Sequence, residues 1–178
     1  MIDVIAERTI PAGPDAIWPL IDEPTRLHEW FAFADGGELV EGEGVGRRQR
    51  MHGLWGSKRS EIDQVIVEHD PPRRLAWRHE AERLDGRPAP RFAAETVFAA
   101  TLEPVDGGTR VTLHSAQRPA SALRGVVIRL FGRREVGQKL RESLAALDEW
   151  ARDGGRAADQ ARDGSRAADQ PRDSSPSA

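Results

Sequence analysis

The sequence predicts an α+β fold, a seven-stranded antiparallel sheet curled around a long C-terminal helix, with two short helices after strand 1. Three observations carry this expectation. Alternating, strand-like segments fill residues 38–118, turns bearing glycine or proline separate them, and an apolar stripe of helical period runs through residues 121–150. A sheet that grips a helix can leave an apolar space between the two, which suggests a container for a small greasy molecule.

Each element has a local reason. Ile2 to Ile10 is short and rich in β-branched residues, and Pro11-Ala12-Gly13-Pro14 ends it, so a strand and a turn are expected. Asp15 then caps a short helix whose buried side is Ile17, Trp18, Leu20 and Ile21, and Asp22-Glu23-Pro24 stops it. Pro24 opens the next short helix, in which Leu27, Trp30 and Phe31 recur at helical spacing. Residues 38–41 and 47–52 flank Gly42-Glu43-Gly44-Val45-Gly46 as a hairpin. Those glycines do not form a phosphate loop, because the glycine-lysine-serine ending and a following helix are both missing. Strands at 58–69, 74–83, 91–103 and 109–118 complete the sheet, with turns at Asp70-Pro71-Pro72, Leu84-Asp85-Gly86 and Val105-Asp106-Gly107-Gly108. Consecutive strands joined by tight turns pair antiparallel, and a sheet this large twists and curls.

In the final helix Leu140, Leu144 and Leu147 repeat at spacings of four and three, with Val136 a turn before and Trp150 a turn after. Burying side chains of this size contributes about 1.5–3 kcal/mol each, in sum comparable with the net stability of a domain. Leu123, Val127, Leu130 and Phe131 form a similar stripe upstream, and Gly132 is a place for a bend.

With 178 residues and 38% hydrophobic content, one domain with its own core is expected, over residues 1–150. Residues 151–160 and 161–170 read ARDGGRAADQ and ARDGSRAADQ, followed by PRDSSPSA. Five arginines there balance five aspartates and the only apolar side chains are alanines, so residues 151–178 are expected to be a disordered low-complexity tail. A formal charge of −3 carries no nucleic-acid footprint, and the cluster from Arg129 to Arg134, beside Leu130 and Phe131, reads as a solvated helix face, with a membrane-surface helix as the alternative. The absence of cysteine excludes disulfides, thiolate catalysis and cysteine metal sites. Met1-Ile2-Asp3-Val4 lacks a basic signal-peptide start and no stretch approaches a membrane span, so cytoplasmic residence without stable membrane insertion is expected, as a monomer or homodimer.

The motifs Glu7-Arg8-Thr9-Ile10-Pro11-Ala12 with Ile17-Trp18, the Trp30 segment, Gly44-Val45-Gly46, Asp70-Pro71-Pro72-Arg73-Arg74-Leu75-Ala76-Trp77, Gly107-Gly108-Thr109-Arg110-Val111-Thr112 and the terminal leucine-rich helix together resemble the START-like superfamily, over about residues 1–150. That group includes polyketide cyclases, pollen-allergen-type proteins and lipid-transfer domains. The resemblance implies a helix-grip fold, with two short helices closing one end of the sheet and the long helix across its concave face. It implies no single activity, since the group holds binders, transporters, cyclases and chaperone cofactors.

The chemistry must come from the site. The five histidines, His28, His52, His69, His79 and His114, show no metal-type spacing, so neither a metal nor another cofactor is expected. His79 shares a strand face with Leu75 and Trp77, whereas His114 alternates with Val111 and Leu113 toward solvent. In the strand at 91–103, Phe92, Ala94, Thr96, Phe98, Ala100 and Leu102 share the face expected to be interior, which leaves Glu95 outside and unsuited to act as a base. The leading expectation is binding of a small hydrophobic molecule (a lipid, polyketide or aromatic), with transport as one use, and no catalytic residue. Trp30, Met51, Trp55, Trp77, His79 and Phe98 are the expected lining, the tryptophans supplying apolar area and His79 orienting a ligand oxygen. Plain core packing is the alternative for each and the preferred reading for Trp18. Two other functions are carried forward. One is a polyketide aromatase or cyclase drawing on Arg50, His52, Arg78, His79 or Arg118 for proton transfer, in a chain with no tyrosine. The other is a chaperone- or protein-interaction module.

Overall fold

The computed structural model describes residues 1–90, 93–121 and 132–168. In chain order the elements are β1 (Ile2–Ile10), α1 (Pro14–Asp22), a 3-10 turn (Pro24–Arg26), α2 (Leu27–Trp30), β2 (Gly36–Glu41), β3 (Arg48–Trp55), β4 (Lys58–Asp70), β5 (Arg74–Leu84), β6 (Arg87–Pro88), β7 (Ala93–Val105), β8 (Gly108–Pro119) and α3 (Arg133–Ala168). The strands form one antiparallel sheet in the order β1-β8-β7-β5-β4-β3-β2, and the two-residue β6 pairs with β5 outside that path.

Chain chemistry accounts for the local geometry. The cap of α1 is Gly13 rather than Asp15: Pro14 takes the first helical position, where its fixed φ suits the helix, and Asp15 lies in the first turn. The 3-10 turn is capped by Glu23, whose carboxylate accepts from the Thr25 backbone N–H at 3.2 Å. Ile17, Trp18, Leu20 and Ile21 are all buried, as the apolar side of α1 requires.

Leu140, Leu144 and Leu147 are buried in the central core with Ile10, Val111, Leu113 and Leu102, so the leucine stripe faces the concave side of the sheet. The helix is tied down by polar contacts as well. Arg8 of β1 donates to Asp148 at 2.7 Å, and Arg152 donates to the same carboxylate at 3.0 Å. Ala32, in the loop after α2, donates its N–H to Ser143 Oγ at 2.9 Å and accepts from Lys139 Nζ at 2.7 Å.

The bounds of this helix depart from the expected 121–150. Residues 122–131, which hold the upstream stripe of Leu123, Val127, Leu130 and Phe131, lie outside the described residues. At the other end the helix continues past Trp150 to Ala168, and Ala151 belongs to the buried core. Alanine and arginine are strong helix formers, and Arg152 reaches back one turn to Asp148, which favours helix in the turn after the apolar stripe ends, against the cost of Gly154 and Gly155. Residues 169–178, the remainder of the expected tail, lie outside the described residues. No helix among the described residues is long and apolar enough to cross a membrane.

Candidate functional site on the concave face

Strand register places the site. Trp77 of β5 stands opposite Phe98 of β7, which stands opposite Ser115 of β8, so the three share one face across adjacent strands. All three are buried, and Leu102 and Leu113 on the same two strands belong to the core, so this is the concave face. Trp77 and Phe98 stack with ring centroids 5.8 Å apart and planes at 13°. Phe31 meets both rings edge-on at 5.5 and 5.7 Å, and Phe33 meets Phe98 at 5.4 Å, offset and edge geometries that aromatic quadrupoles favour. Trp30 packs against Phe31 at 5.1 Å.

The loop that delivers Phe31 and Phe33 depends on Gly53. A Cβ at that position of β3 would stand 2.7 Å from the Phe33 carbonyl oxygen, closer than real Cβ contacts come, so only glycine lets the loop cross the strand here. The Asp35 N–H then donates to the His52 carbonyl at 2.8 Å and fixes the crossing.

A buried polar row runs along β3, β4 and β5 beside this aromatic cluster. Arg47, next to β3, bonds Asp22 at the end of α1 through both the backbone oxygen (2.8 Å) and the carboxylate (2.9 Å). The same guanidinium reaches Gln49 Oε1 at 3.3 Å, and Gln49 Nε2 donates to Gln64 Oε1 at 2.9 Å. Gln64 Nε2 in turn lies 3.6 Å from the Met51 sulfur and 3.5 Å from His79 Nε2. His69 and Trp18 close the far end, His69 at 3.1 Å from the Asp22 carboxylate and edge-on to the Trp18 ring. The charges in the row are paired and its amides bonded, as buried polar groups require.

Two titratable groups on β5 feel this environment. His79 stacks on Phe98 at 5.4 Å, and burial without a charged partner lowers its pKa to about 4, so the ring is neutral at pH 7. With Gln64 Nε2 as donor, Nε2 of His79 is the acceptor and the ring proton falls on Nδ1. Glu82 faces the same way, opposite buried Ile62, and burial raises its carboxyl pKa against the opposing effect of a Ser60 hydrogen bond. From Phe98 toward this end, the inward positions Thr96, Gln117, His79 and Glu82 are all half-buried, so the concave face is dry and aromatic at one end and polar and partly open at the other.

Five of the six expected lining residues, Trp30, Met51, Trp77, His79 and Phe98, come together on or over this face. Trp55 does not. It keeps the strand face of Met51 but stands at the tip of the β3–β4 hairpin, 47% exposed. Ala94 also departs from its expected inward place: the register shifts between Ala93 and Glu95, and Ala94 is exposed. Of the proton-transfer groups expected for a cyclase, only His79 points inward. Arg50 bonds Asp63, His52 lies by Glu38, Arg78 by Glu80 and Arg118 by Glu95, all on the opposite, outer face. Glu95 is outside as expected, and His114 bonds Asp3 on the surface at 2.9 Å. Phe92 lies outside the described residues.

Arg47, Gln49, Gln64 and Phe33 escape a reading from sequence alone. The only signal is parity: Gln49 alternates with Met51, and Gln64 alternates with Ile62 and Ile66, so each amide falls on an apolar face. Four buried side-chain atoms have no hydrogen-bond partner among the described residues: Trp30 Nε1, Trp77 Nε1, Ser115 Oγ and Arg47 Nε. No group of three or more His, Asp or Glu side chains among the described residues is arranged to hold a metal ion.

Solved structures share this architecture. TTHA0849 from Thermus thermophilus is 20% identical, with a TM-score of 0.67 over 86% of this chain and 99% of its own. Ara h 8.0201 is 17% identical, with a TM-score of 0.65 over 85% of this chain and 98% of its own. MLL2253 from Mesorhizobium loti is 18% identical, with a TM-score of 0.62 over 83% and 95% respectively. At these identities the likeness establishes the helix-grip fold and no activity. No curated protein matches the chain. The family model described as polyketide cyclase / dehydrase and lipid transport matches residues 1–152, the packed unit from β1 to Ala151 of α3, and the chain belongs to that family.

Proposed function

We propose that this protein binds a small, largely apolar molecule carrying at least one neutral oxygen, on the concave face between sheet and helix. The observation that carries the reading is the pair Trp77 Nε1 and Ser115 Oγ, buried on either side of Phe98 and without a partner among the described residues. A buried polar group left unmade costs about 1–3 kcal/mol, a cost that ligand oxygens reaching either of the two would offset. Trp30, Met51 and Phe98 supply apolar area, and the neutral His79, steadied by Gln64, supplies a polar handle at the open end. The membership in a family described by cyclases, dehydrases and lipid transport supports a ligand of this chemistry.

A cyclase-type enzyme is the second reading, favoured by Glu82, a carboxyl whose pKa is raised by burial on the same strand face as His79. Binding is preferred because the other groups suited to proton transfer, Arg50, His52, Arg78 and Arg118, pair with carboxylates on the outer face and leave His79 without a charged partner. Native mass spectrometry of the purified protein should reveal a co-purifying passenger. Titration with hydroxylated polycyclic aromatics, flavonoids and fatty acids should give a saturable change in tryptophan emission. His79→Ala should weaken oxygen-bearing ligands more than their hydrocarbon analogues. Absence of both a passenger and any saturable change would defeat the reading.

A further inference from the structure

Exposed large apolar side chains come in neighbouring pairs at two places on the sheet. On edge strand β2, Leu39 and Val40 sit among Glu38, Glu41 and Glu43. At the opposite end of β3, Leu54 is 66% exposed and Trp55 is 47% exposed, on a hairpin tip turned by Gly56 at φ 60°. The charges around this tip are mostly of the other sign, with Lys58, Arg59 and Arg87 against the Asp85 carboxylate. Register pairs Leu54 with Arg59 and Trp55 with Lys58, so each apolar side chain shares a face of the hairpin with a cation. The neighbouring β5–β6 turn is tied on by reciprocal bonds: Asp85 Oδ1 accepts from the Arg59 N–H at 3.1 Å, and the Asp85 N–H donates to the Arg59 carbonyl at 2.9 Å. That turn brings exposed Arg87 to the same end.

Lys58, Arg59 and Arg87 make no side-chain ion pair among the described residues, while Arg48, Arg50, Arg83, Arg110 and Arg118 of the same sheet are each paired with a carboxylate. Cations concentrated beside an exposed tryptophan and leucine, in a chain of formal charge −3, form a local surface unlike the rest of the sheet. We propose that this hairpin tip docks onto an anionic lipid bilayer. Tryptophan and leucine bury into the headgroup boundary, and the three cations meet lipid phosphates. The acid-flanked β2 patch has the wrong sign for that partner. Because Trp55 continues the strand face of Met51 and Gly53, docking brings the polar, open end of the concave face to the bilayer surface. The proposal does not depend on what the concave face binds, since membrane contact is measured without a ligand.

The test is co-sedimentation of the full chain with vesicles of equal parts phosphatidylglycerol and phosphatidylcholine, beside vesicles of phosphatidylcholine alone. Binding to the anionic vesicles is expected, weakening roughly tenfold or more as salt rises from low to physiological ionic strength. Leu54→Ser with Trp55→Ser, and separately Lys58→Glu with Arg59→Glu, should each reduce binding roughly tenfold or more with an unchanged melting temperature. In the unmutated chain, brominated lipid should quench a blue-shifted emission component that Trp55→Phe removes, a direct reading of contact that needs no destabilised variant. The proposal is overturned by equal binding to both vesicle types, by no binding, or by binding that survives both tip variants and is lost in Arg133→Glu with Arg134→Glu. Stoichiometric capture of an acidic protein through the same tip, without vesicle binding, overturns it as well.

Discussion

Replacing Gln49 and Gln64, singly and together, measures what the buried polar row contributes. Gln64 is 1% exposed and Gln49 is 3% exposed, and the bond between them is 2.9 Å long. Gln64→Leu preserves volume but leaves Gln49 Nε2 without an acceptor in a dry site, at a cost of about 1–3 kcal/mol. Gln49→Leu orphans Gln64 Oε1 at a similar cost, while Arg47 keeps both of its bonds to Asp22. The double variant removes donor and acceptor together and adds two apolar side chains, so it should lie within about 1 kcal/mol of the parent, well below the sum of the singles. Urea midpoints at constant m read all three values. Penalties that add within about 0.5 kcal/mol would refute the pairing, since they would mean that the two amides find separate partners. The folded double variant then separates structure from recognition: oxygen-bearing ligands should bind it more weakly, while hydrocarbon analogues should not distinguish it from the parent.

Three further outcomes follow from the packing and the charges. Leu144→Ala, at a 2% exposed position in the middle of the α3 stripe, should cost about 2–5 kcal/mol by chemical denaturation; a cost under about 0.5 kcal/mol would mean that the sheet does not hold the helix. Stability should fall as the pH drops from about 6.5 to about 4, because the unfolded chain takes up a proton that folded His79 refuses until about pH 4, by at most ~3 kcal/mol and with a slope that His79→Asn removes. Asp63 and Asp148, lowered by their arginines, contribute stability that is lost only at more acid pH, and Glu82, raised by burial, slopes the opposite way, so the difference between parent and variant isolates the histidine. Ending the chain after Gly154 should leave the melting temperature unchanged within error, because Ala151 is the last core residue among the described ones; a fall of several degrees would place core contacts further along.

The strands and the long helix were legible because burial had left its period in the sequence. Leu140, Leu144 and Leu147 mark one helical side, and Leu75, Trp77 and His79 mark one strand side, so both faced where their spacing said. Parity has a blind spot at each strand end, where a residue can have the inward phase and still be open to solvent, as Trp55 is at 47% exposure. It also says nothing about a polar residue on an apolar face until its partner is known. Gln64 is held by Gln49 fifteen residues away, and Arg47 by Asp22 across 25 residues, pairings that only the folded chain brings together.

The loop residue Ala32 has a kinetic consequence. Its N–H and its carbonyl are both held by α3, through Ser143 and Lys139, and its two neighbours in sequence, Phe31 and Phe33, belong to the aromatic cluster. The helix cannot lift from the sheet without breaking both bonds or dragging Phe31 and Phe33 off Trp77 and Phe98. Lifting of α3 and exposure of the aromatic cluster are thereby joined in one cooperative opening event, so the two should exchange amide protons at a common rate.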